Sequence, residues 1–401
     1  MTYMKAMVLT WEYPPYINGG LGQHVKELLP AMRTLDTELE LHIVAPCFDQ
    51  SPPVVAVDGP AVHWVVVAKP RPNHFYDDVE HANRALAATA VRVAEEWGPF
   101  DVLHVHDWLA SWAAFAVQDL HDTPLVATIH ATERGRYRGH LHGHLSEAID
   151  SAERELCRRA DHIITCSSAM QAEVEHYFGV EPAHVTVIPN GIDGSYFDVL
   201  RETDLSAFRA RYALPHEQIV FNVGRLVYEK GADLLVEAIP LVLQETPHTR
   251  FVIAGQGPLW QTLQHRVADL RIGSHVTLTG FLSDEDRDKL YVAADCCVFP
   301  SRYEPFGIVA LESMAAGTPV VVTDVGGLGT VVQHEKTGLT AYSENVDSLA
   351  EAINKTLGDP AESGRLADNA LHQVRECFAW QVIAGMTLRV YKQATDAKSL
   401  A

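Results

Sequence analysis

Long apolar runs, cysteine pairs and basic residues are all scarce in this sequence. No stretch approaches the ~20 apolar residues that a membrane-spanning helix needs, and residues 1–9 lack the long apolar segment of a signal peptide. The six cysteines are scattered without a CxxC spacing, which is typical of reduced thiols. We therefore expect a cytoplasmic protein with no integral membrane association.

The shortage of basic residues limits the partners that the chain can bind. Asp and Glu number 52 against 31 Lys and Arg, which gives a formal net charge of −21. Such a field repels the phosphate backbone of nucleic acid and an anionic lipid surface. We expect no nucleic-acid partner, and a phosphorylated ligand must be held by local cations and helix N-termini.

The pattern of apolar residues indicates an α/β protein with two doubly wound domains. Short β-rich runs alternate with longer helix-like segments along the 401 residues, as in parallel sheets wrapped by helices. Turn-forming residues at 188–193 interrupt the pattern, after which it begins again. We predict a Rossmann-like domain at residues 1–205, a second at 206–376 and a terminal helix at 377–401. Open α/β sheets bind ligands at the carboxyl ends of their strands, so we expect the active site in a cleft between the domains.

A glycine-rich turn follows the first predicted strand and leads into a helix. Gly19 and Gly20 lie in this turn, where bare backbone N–H groups at a helix N-terminus are suited to receive a diphosphate. The spacing differs from GxGxxG, and no GxxxxGK[ST] motif occurs, so a dehydrogenase or a P-loop protein loses support. A plain strand-to-helix turn remains an equal alternative.

Two cations follow the first predicted strand of the second half. Arg225 and Lys230 lie in GRLVYEKG, at the carboxyl end of that strand. A guanidinium makes two-pronged contacts with phosphate, and an ammonium adds a mobile point charge. Together they can neutralise a diphosphate leaving group, although the pair by itself would be interpreted as part of a solvated loop.

A third motif, EPFGIVALE, spans residues 304–312. If a helix begins at Ile308, Glu304 and Glu312 lie near one face, a little over two turns apart. Phe306, Gly307 and Ile308 then present free N–H groups beside the carboxylates. Carboxylates in a cleft are suited to hold sugar hydroxyls, and the alternative is a helix with an acidic first turn.

In this order, the motifs resemble the retaining glycosyltransferases of the GT-B fold, of the glycogen synthase and bacterial group 1 kind. The resemblance covers essentially the whole chain and is carried most specifically by EPFGIVALE and GRLVYEKG. It implies two Rossmann-like domains facing across a cleft, with the C-terminal helix crossing back to the first domain. It also implies a nucleotide diphosphate sugar as donor and a carbohydrate as acceptor.

The resemblance assigns roles within EPFGIVALE. Glu304 is implied to contact the donor sugar, aided by the backbone of Phe306, Gly307 and Ile308. Glu312 is implied to bind the ribose. We count Glu304 as catalytic and the other four as donor-binding.

Positions outside that motif complete the implied site. Arg225 and Lys230 correspond to the catalytic pair that binds the diphosphate, and Gly19 and Gly20 to the turn whose amide meets the phosphate. His130 corresponds to the active-site histidine that touches the donor sugar near the reacting carbon. The resemblance also implies that His106 and Asp107 lie on the acceptor side of the site.

No cofactor and no metal are expected. His140, His142 and His144 alternate in a tract that could chelate a transition metal, but we interpret it as a surface or acceptor loop. The acidic triplet at 284–286 matches the DxD that holds a metal in another glycosyltransferase fold. It follows Ser283 at a predicted helix start, where acidic residues stabilise exposed amides.

The predicted activity is retaining transfer of a hexose, preferably glucose from ADP- or UDP-glucose to an α-glucan. A lysine and an aspartate of common bacterial glycogen synthases are replaced here by Ile17 and Gln23. Transfer to a small sugar, a sugar phosphate or a lipid-linked acceptor therefore remains an alternative. A noncatalytic nucleotide-sugar-binding protein, and a phosphorylase or epimerase on the same fold, also stay open as readings of the same motifs.

Overall fold

The computed structural model describes residues 4–49, 53 and 59–400. The chain divides into two compact units. The first unit extends to Gly191 and resumes at Trp380, and the second runs from Ile192 to Ala379. The sequence placed the two divisions after residues 205 and 376 instead.

The first unit contains a parallel sheet whose central strands are largely buried. Its strands are β1 (Met4–Leu9), β2 (Leu39–Cys47), β3 (Ala61–Val66), β4 (Val102–His106), β5 (Leu125–Ile129), β6 (His162–Thr165) and β7 (Val185–Val187). They lie in the order β3-β2-β1-β4-β5-β6-β7. Every residue of β4 and β5 is buried, as expected for parallel strands covered by helices on both faces.

The helices of this unit alternate with the strands. They are α1 (Gly20–Leu35), α2 (Phe75–Trp97), α3 (Ser111–His121), α4 (Glu133–Arg136), α5 (Gly143–Arg159) and α6 (Ser168–Phe178). Short 3-10 turns occur at Pro72–His74, Trp108–Ala110 and Pro182–His184. This alternation of strand and helix is the one that the sequence pattern predicts.

The second unit repeats the plan. Its strands are β8 (Gln218–Val223), β9 (Thr249–Ala254), β10 (Val276–Gly280), β11 (Cys296–Phe299), β12 (Val320–Thr323) and β13 (Leu339–Ala341), in the order β10-β9-β8-β11-β12-β13. Its helices are α7 (Ser195–Arg201), α8 (Ser206–Arg209), α9 (Ala232–Glu245), α10 (Trp260–Asp269), α11 (Asp284–Ala293), α12 (Ile308–Ala316), α13 (Leu328–Val331), α14 (Val346–Gly358) and α15 (Pro360–Cys377). Tyr228–Lys230 form a 3-10 turn. The sequence pattern did not predict β13, which is only three residues long.

Helices α7 and α8 belong to the second unit because their arginines are bonded to it. The Arg201 guanidinium donates to the carbonyl of Ala315, and the Arg209 guanidinium donates to the carbonyl of Ala293. Arg209 also pairs with Asp295 over 2.7 Å. The turn-forming residues at 188–193 therefore mark the division better than the polar stretch that follows them.

The last helix, α16 (Trp380–Leu400), lies in the first unit, as the resemblance implied. It packs on α1, and the Tyr391 hydroxyl lies 2.7 Å from Nδ1 of His104 in β4. A Cβ at Gly191 would lie 2.5 Å from the Trp380 ring, so the chain can pass the indole only at a glycine. Trp380 and Tyr391 are both part of the core of this unit.

Each sheet has a point at which the chain reverses its direction of winding. In the first sheet this point lies between β1 and β4, and in the second it lies between β8 and β11. Doubly wound sheets bind ligands outside the carboxyl ends of the strands at such a point. The predicted fold class, α/β with two doubly wound sheets, is confirmed.

Within the described residues, no helix is both long enough and apolar enough to cross a bilayer. The cysteines are free thiols; Cys377 is exposed and the others are buried.

Candidate active site

The reversal point of the second sheet carries three of the predicted site residues. β8 and β11 are neighbours, Arg225 and Lys230 follow β8, and Glu304 follows β11. All three therefore start from the crevice at the carboxyl ends of the strands. A small cavity there is lined by both loops, including Arg225, Lys230 and Ser301.

Lys230 and Glu304 form an ion pair in this crevice. The Lys230 ammonium donates to Glu304 Oε2 over 2.6 Å, and the Ser301 hydroxyl donates to the same oxygen over 3.3 Å. The Glu304 side chain is 8% exposed and that of Lys230 is 25% exposed, so solvent screens this pair less than a surface pair. The resemblance gave these two residues different roles in one site, and their direct contact was not predicted.

Arg302 holds the two loops together, and sequence reasoning missed it. Its guanidinium makes a two-pronged contact with Asp233, at 2.8 Å to each oxygen, and stacks on the Tyr228 ring. Its backbone N–H donates to the carbonyl of Glu229 over 2.7 Å. Residues 228–230 are thereby held against residues 301–303, which places Lys230 beside its partner.

Glycines allow the backbone to pack closely around these loops. A Cβ at Gly231, where φ is +67°, would lie 1.9 Å from the Pro300 carbonyl oxygen. A Cβ at Gly326 would lie 2.2 Å from the Glu304 carbonyl oxygen, and the Gly327 N–H donates to that same oxygen over 2.8 Å. The turn at 326–327 therefore supports the backbone that carries the carboxylate.

Helix α12 begins at Ile308, with Gly307 as its N-cap, which meets the condition set for the EPFGIVALE motif. The N–H groups of Phe306, Gly307 and Ile308 have no acceptor among the described residues. Amides at a helix start carry positive potential, so these three are available to an anion or a sugar oxygen. Glu304 precedes the helix, and the two-turn spacing to Glu312 therefore does not describe how these carboxylates are placed.

Glu312 lies on α12 with partners of its own. The Tyr291 hydroxyl donates to Glu312 Oε2 over 2.7 Å. Burial raises the pKa of Glu312, while the nearby Arg287 and the Tyr291 hydroxyl oppose the rise. The other carboxylate oxygen is suited to accept from a ligand hydroxyl. Tyr291 is fully buried, and sequence reasoning did not identify it as a partner.

Arg225 is the unpaired cation of this crevice. It is exposed, and no carboxylate in the described part of the chain pairs with its guanidinium. The loop that carries it is held firmly, because a Cβ at Gly255 would lie 1.8 Å from the Gly224 carbonyl oxygen. A guanidinium on a firmly held loop is suited to bind phosphate through two parallel hydrogen bonds.

In the first unit, most N–H groups of the glycine turn already have an acceptor, so the prediction of free N–H groups throughout this turn was wrong. Helix α1 begins at Gly20 with Gly19 as its N-cap. A single oxygen, Oε2 of Glu12, accepts from the N–H groups of Asn18, Gly19 and Gly22 over 3.0, 3.1 and 3.2 Å. Of the two predicted donor-binding glycines, only Gly20 keeps an N–H without an acceptor among the described residues.

His106, Asp107 and His130 meet at the reversal point of the first sheet. β4 ends at His106, β5 ends at Ile129, and the two strands pair in register. His106 Nδ1 lies 3.1 Å from His130 Nε2, and Asp107 Oδ1 accepts from the His130 backbone N–H over 2.7 Å. Burial lowers the pKa of His130 to about 4, so its imidazole is neutral near pH 7.

Asp107 combines an unusual backbone with a perturbed carboxyl group. Its φ of 55° and ψ of 177° lie in a region that is nearly restricted to glycine, and such strain often accompanies function. Burial raises the pKa of Asp107 to about 7, opposed by the backbone hydrogen bond from His130 and by the charge of Arg136. Asp107 therefore changes charge near neutral pH, as a functional carboxylate can.

His24, His106 and His130 form the one group among the described residues whose nitrogens are close enough to hold a metal, within 4.8 Å of one another. His24 Nδ1 lies 2.7 Å from Asn190 Oδ1, and His106 Nδ1 and His130 Nε2 contact each other. Burial lowers the pKa of His24 to about 3. The group consists of packed, neutral imidazoles, in which the buried His106 Nε2 has no hydrogen-bond partner among the described residues. Sequence reasoning missed its member on α1.

The two metal-like tracts named from the sequence lie elsewhere. His140, His142 and His144 are exposed. The acidic triplet opens α11 behind Ser283, whose hydroxyl accepts from the Asp286 N–H over 3.1 Å. Its three carboxylates pair with cations of the same unit, which are Arg287, Lys289 and Arg211. The triplet therefore lies at a helix start, as predicted.

Comparison with known proteins follows the division of the chain. Residues 206–373 match a family model described as Glycosyl transferases group 1, and residues 18–196 match one described as Glycosyltransferase Family 4. The chain is 35% identical to a glycogen synthase of Mycobacterium tuberculosis (strain ATCC 25618 / H37Rv), over 98% of this chain and 95% of the relative.

A further relative and a solved structure extend the comparison. The chain is 30% identical to a D-inositol 3-phosphate glycosyltransferase of Kineococcus radiotolerans, over 95% of this chain and 92% of the relative. A sucrose-phosphate synthase structure from Thermosynechococcus elongatus superposes with a TM-score of 0.79 at 24% identity, covering 98% of this chain and 100% of that one. The structural likeness shows the GT-B fold, which confirms the predicted architecture.

Proposed function

The chain belongs to the group 1 glycosyltransferases, of the glycogen synthase-like type, and from this we propose that it is a retaining hexosyltransferase. The proposed donor is glucose carried by ADP or UDP, and the proposed acceptor is an α-glucan. Arg225, Lys230, Glu304 and the start of α12 serve the donor in this proposal. Asp107 and His130 serve the acceptor and the reacting sugar.

The Lys230–Glu304 pair at the reversal point, with Arg225 unpaired beside it, is the observation that carries this function. A departing diphosphate develops negative charge that fixed positive groups must meet. Two cations and the first amides of α12 supply such groups, already oriented, so no reorganisation is needed during the reaction. An adjoining carboxylate is suited to accept hydrogen bonds from the sugar.

In the proposed reaction, the bond between C1 of the sugar and the diphosphate oxygen breaks. A bond from C1 to an acceptor oxygen forms on the same face, and the acceptor proton passes to the departing phosphate. Between departure of the diphosphate and attack of the acceptor, the sugar passes through an oxocarbenium-like state, as in glycoside hydrolysis. The family resemblance offers no carboxylate beneath the ring to act as a nucleophile, which favours this same-face substitution.

No cofactor takes part in the proposed reaction. The charge of the leaving group is met by Arg225, Lys230 and backbone amides rather than by a divalent cation. The histidine group of the first unit is proposed to act as neutral hydrogen-bonding groups. We therefore expect turnover to be the same with and without EDTA.

The acceptor is the part of the proposal with a specific competitor. The similarity to a glycogen synthase over nearly the whole of both chains supports an α-glucan. The similarity to a D-inositol 3-phosphate glycosyltransferase, at 30% identity, supports a small phosphorylated acceptor as the second candidate. A lipid-linked acceptor has less support, because the chain carries a formal net charge of −21.

A panel of nucleotide sugars tests the proposal. ADP-glucose, UDP-glucose and other donors are each incubated with a glucan, with small sugar phosphates or with no acceptor, and free nucleotide diphosphate is measured. We expect release that depends on the glucan. Release that depends only on a sugar phosphate would favour the second candidate. Binding of a donor with no release under any condition would indicate a noncatalytic binding protein and contradict the proposal.

Activity is expected to rise with pH through about 7. The ionised carboxylate of Asp107 accepts a hydrogen bond from an acceptor hydroxyl, and its pKa is raised to about 7 by burial. His130 does not account for this limb, because its pKa is lowered to about 4. Asp107→Asn should flatten the profile of kcat between about pH 6 and 8. A flat profile in the wild-type protein would contradict this role.

As pH rises, the same carboxyl group should lower the free energy of unfolding, whereas it raises activity. Between the ordinary pKa of about 4 and the raised value of about 7, the folded state retains a proton that the unfolded chain has lost. The contribution of Asp107 to the free energy of unfolding therefore falls as pH rises through this window. Asp107→Asn should remove that dependence, which thermal unfolding at several pH values measures.

A further inference from the structure

Glu12 is a carboxylate that the proposed reaction leaves without a role. It follows β1, and one of its oxygens accepts from the N–H groups of Asn18, Gly19 and Gly22 over 3.0–3.2 Å. No lysine or arginine in the described ranges of the chain pairs with it. Backbone N–H groups that converge at a helix N-terminus are the kind of cradle that holds a bound anion. In this protein the anion is a side chain of the chain itself.

The contact is built into the turn. A Cβ at Gly22 would lie 2.6 Å from Glu12 Oε2 and 2.9 Å from Glu12 Cβ, so only glycine at this position lets the carboxylate approach. The Thr10 hydroxyl donates to the Glu12 carbonyl over 3.0 Å and accepts from the Glu12 N–H over 3.4 Å. The backbone of Glu12 is therefore held in place.

Glu12 also supplies the acceptor that the start of α1 lacks. Gly19 is the N-cap and has no side chain to accept a hydrogen bond, and the first turn of α1 contains no acidic residue. The free N–H groups at a helix start usually donate to the side chain of a Ser, Thr, Asp or Asn at the N-cap. Here the Glu12 carboxylate, which lies outside the helix, accepts from the N–H of Gly22 and from those of Asn18 and Gly19, which precede the helix. The exposed Gly20 keeps its N–H without an acceptor among the described residues.

We propose, resting on the function proposed above, that Glu12 is a positioning residue for the phosphate contact of the glycine turn. Its carboxylate holds the N–H groups of Asn18, Gly19 and Gly22, and it thereby orders the turn around Gly20. The Gly20 N–H is left to donate to the phosphate of the donor. Glu12 itself touches neither the sugar nor the phosphate.

Two substitutions at Glu12 separate the hydrogen bonds from the charge. Glu12→Ala removes the acceptor, so amide hydrogen exchange at Asn18, Gly19 and Gly22 should become faster and kcat should fall about 10-fold. Glu12→Gln keeps an oxygen that can accept the same hydrogen bonds, so kcat should stay within about 3-fold of wild type. Gly22→Ala displaces the carboxylate without removing it and should resemble Glu12→Ala.

Glu27→Ala is the matched control. Glu27 lies on α1, accepts from the Gln23 side chain over 3.0 Å and pairs with Lys26 over 3.2 Å. Among the described residues, the amides of Asn18, Gly19 and Gly22 donate to Glu12 and not to Glu27. This variant should keep wild-type exchange and wild-type kcat.

Three results would overturn the proposal. Unchanged exchange in Glu12→Ala would show that the carboxylate does not hold the turn, and faster exchange with wild-type kcat would show that the hold does not serve the reaction. Equal losses in Glu12→Ala and Glu12→Gln would assign the effect to charge instead of hydrogen bonding. Absence of sugar transfer in the wild-type protein would refute the proposed function itself, and the exchange measurement would still decide whether Glu12 holds the turn.

Discussion

Replacement of Lys230 by alanine is expected to lower kcat by about 10²–10³-fold, the usual cost of losing one oriented group that stabilises transition-state charge. In the proposed mechanism, the ammonium meets charge that grows on the diphosphate as the bond to the sugar breaks. Because that charge is larger in the transition state than in the bound donor, kcat should change more than KM. Steady-state kinetics with a saturating acceptor measure both constants.

Stability must be separated from catalysis in this variant. Lys230→Ala leaves the Glu304 carboxylate, which is 8% exposed, without its cation, although the Ser301 hydroxyl still donates to it. A buried acceptor that loses a partner costs about 1–3 kcal/mol, so the variant should fold with a lower Tm. Kinetics measured well below that Tm report the chemical effect alone.

Lys289→Ala is the matched control for the lysine. Lys289 pairs with Glu285 on the first turns of α11, where the glutamate side chain is 69% exposed. Surface pairs of this kind contribute little, so its kcat should equal that of the wild type. Wild-type turnover in Lys230→Ala would remove Lys230 from the mechanism.

Replacement of Glu304 by glutamine is expected to lower kcat by a similar factor, about 10²–10³-fold. Glutamine has nearly the same shape, and Gly326 and Gly327 still support the backbone at this position, so packing should be preserved. What is lost is a charged acceptor for the donor sugar and the charge that orients the Lys230 ammonium over 2.6 Å. Kinetics of Glu304→Gln beside Glu285→Gln, which breaks the exposed pair on α11, isolate this effect.

The double variant shows whether Lys230 and Glu304 act as a unit. Groups in direct contact are expected to be non-additive. The loss in kcat for Lys230→Ala combined with Glu304→Gln should therefore be much smaller than the product of the two single losses. Multiplicative losses would mean that the two side chains contribute independently, contrary to the proposed arrangement.

The fold, and the convergence of the groups proposed to bind the donor, could be predicted from the sequence. Regular alternation of short apolar runs and amphipathic segments predicts parallel sheets, and the carboxyl ends of parallel strands share one edge. Arg225, Lys230 and Glu304 each follow such a strand, so their convergence could be predicted without coordinates. A helix start at Ile308 was a condition of the interpretation of EPFGIVALE, and α12 does begin there.

Contacts between loops that are far apart along the chain could not be predicted from the sequence. Arg302 and Asp233 are 69 residues apart, and neither belongs to a recognisable motif. The Glu12 contact was missed for a different reason: a glycine-rich turn predicts free amides, and nothing in the spacing shows that a nearby carboxylate already fills them. The available signal was a glutamate, Glu12, between the end of β1 at Leu9 and the glycines of the turn.

The pKa shifts of buried groups could not be predicted from the sequence either. The raised pKa of Asp107 and the lowered pKa of His130 both come from burial, which depends on how the helices and strands of the first unit pack.

The predicted boundary between the units differs from the one in the structure because it, too, depends on contacts between residues far apart in the sequence. The sequence around residues 195–209 is polar and looks like a linker, but arginines there donate to carbonyls of the second unit.

The stereochemistry of transfer tests the central claim most directly. Proton NMR during the reaction of an α-linked nucleotide glucose with a glucan acceptor reports the configuration of the new bond as it forms. Retaining transfer predicts an α-linked product that appears together with free nucleotide diphosphate. A β-linked product, or free glucose in place of a transfer product, would contradict it.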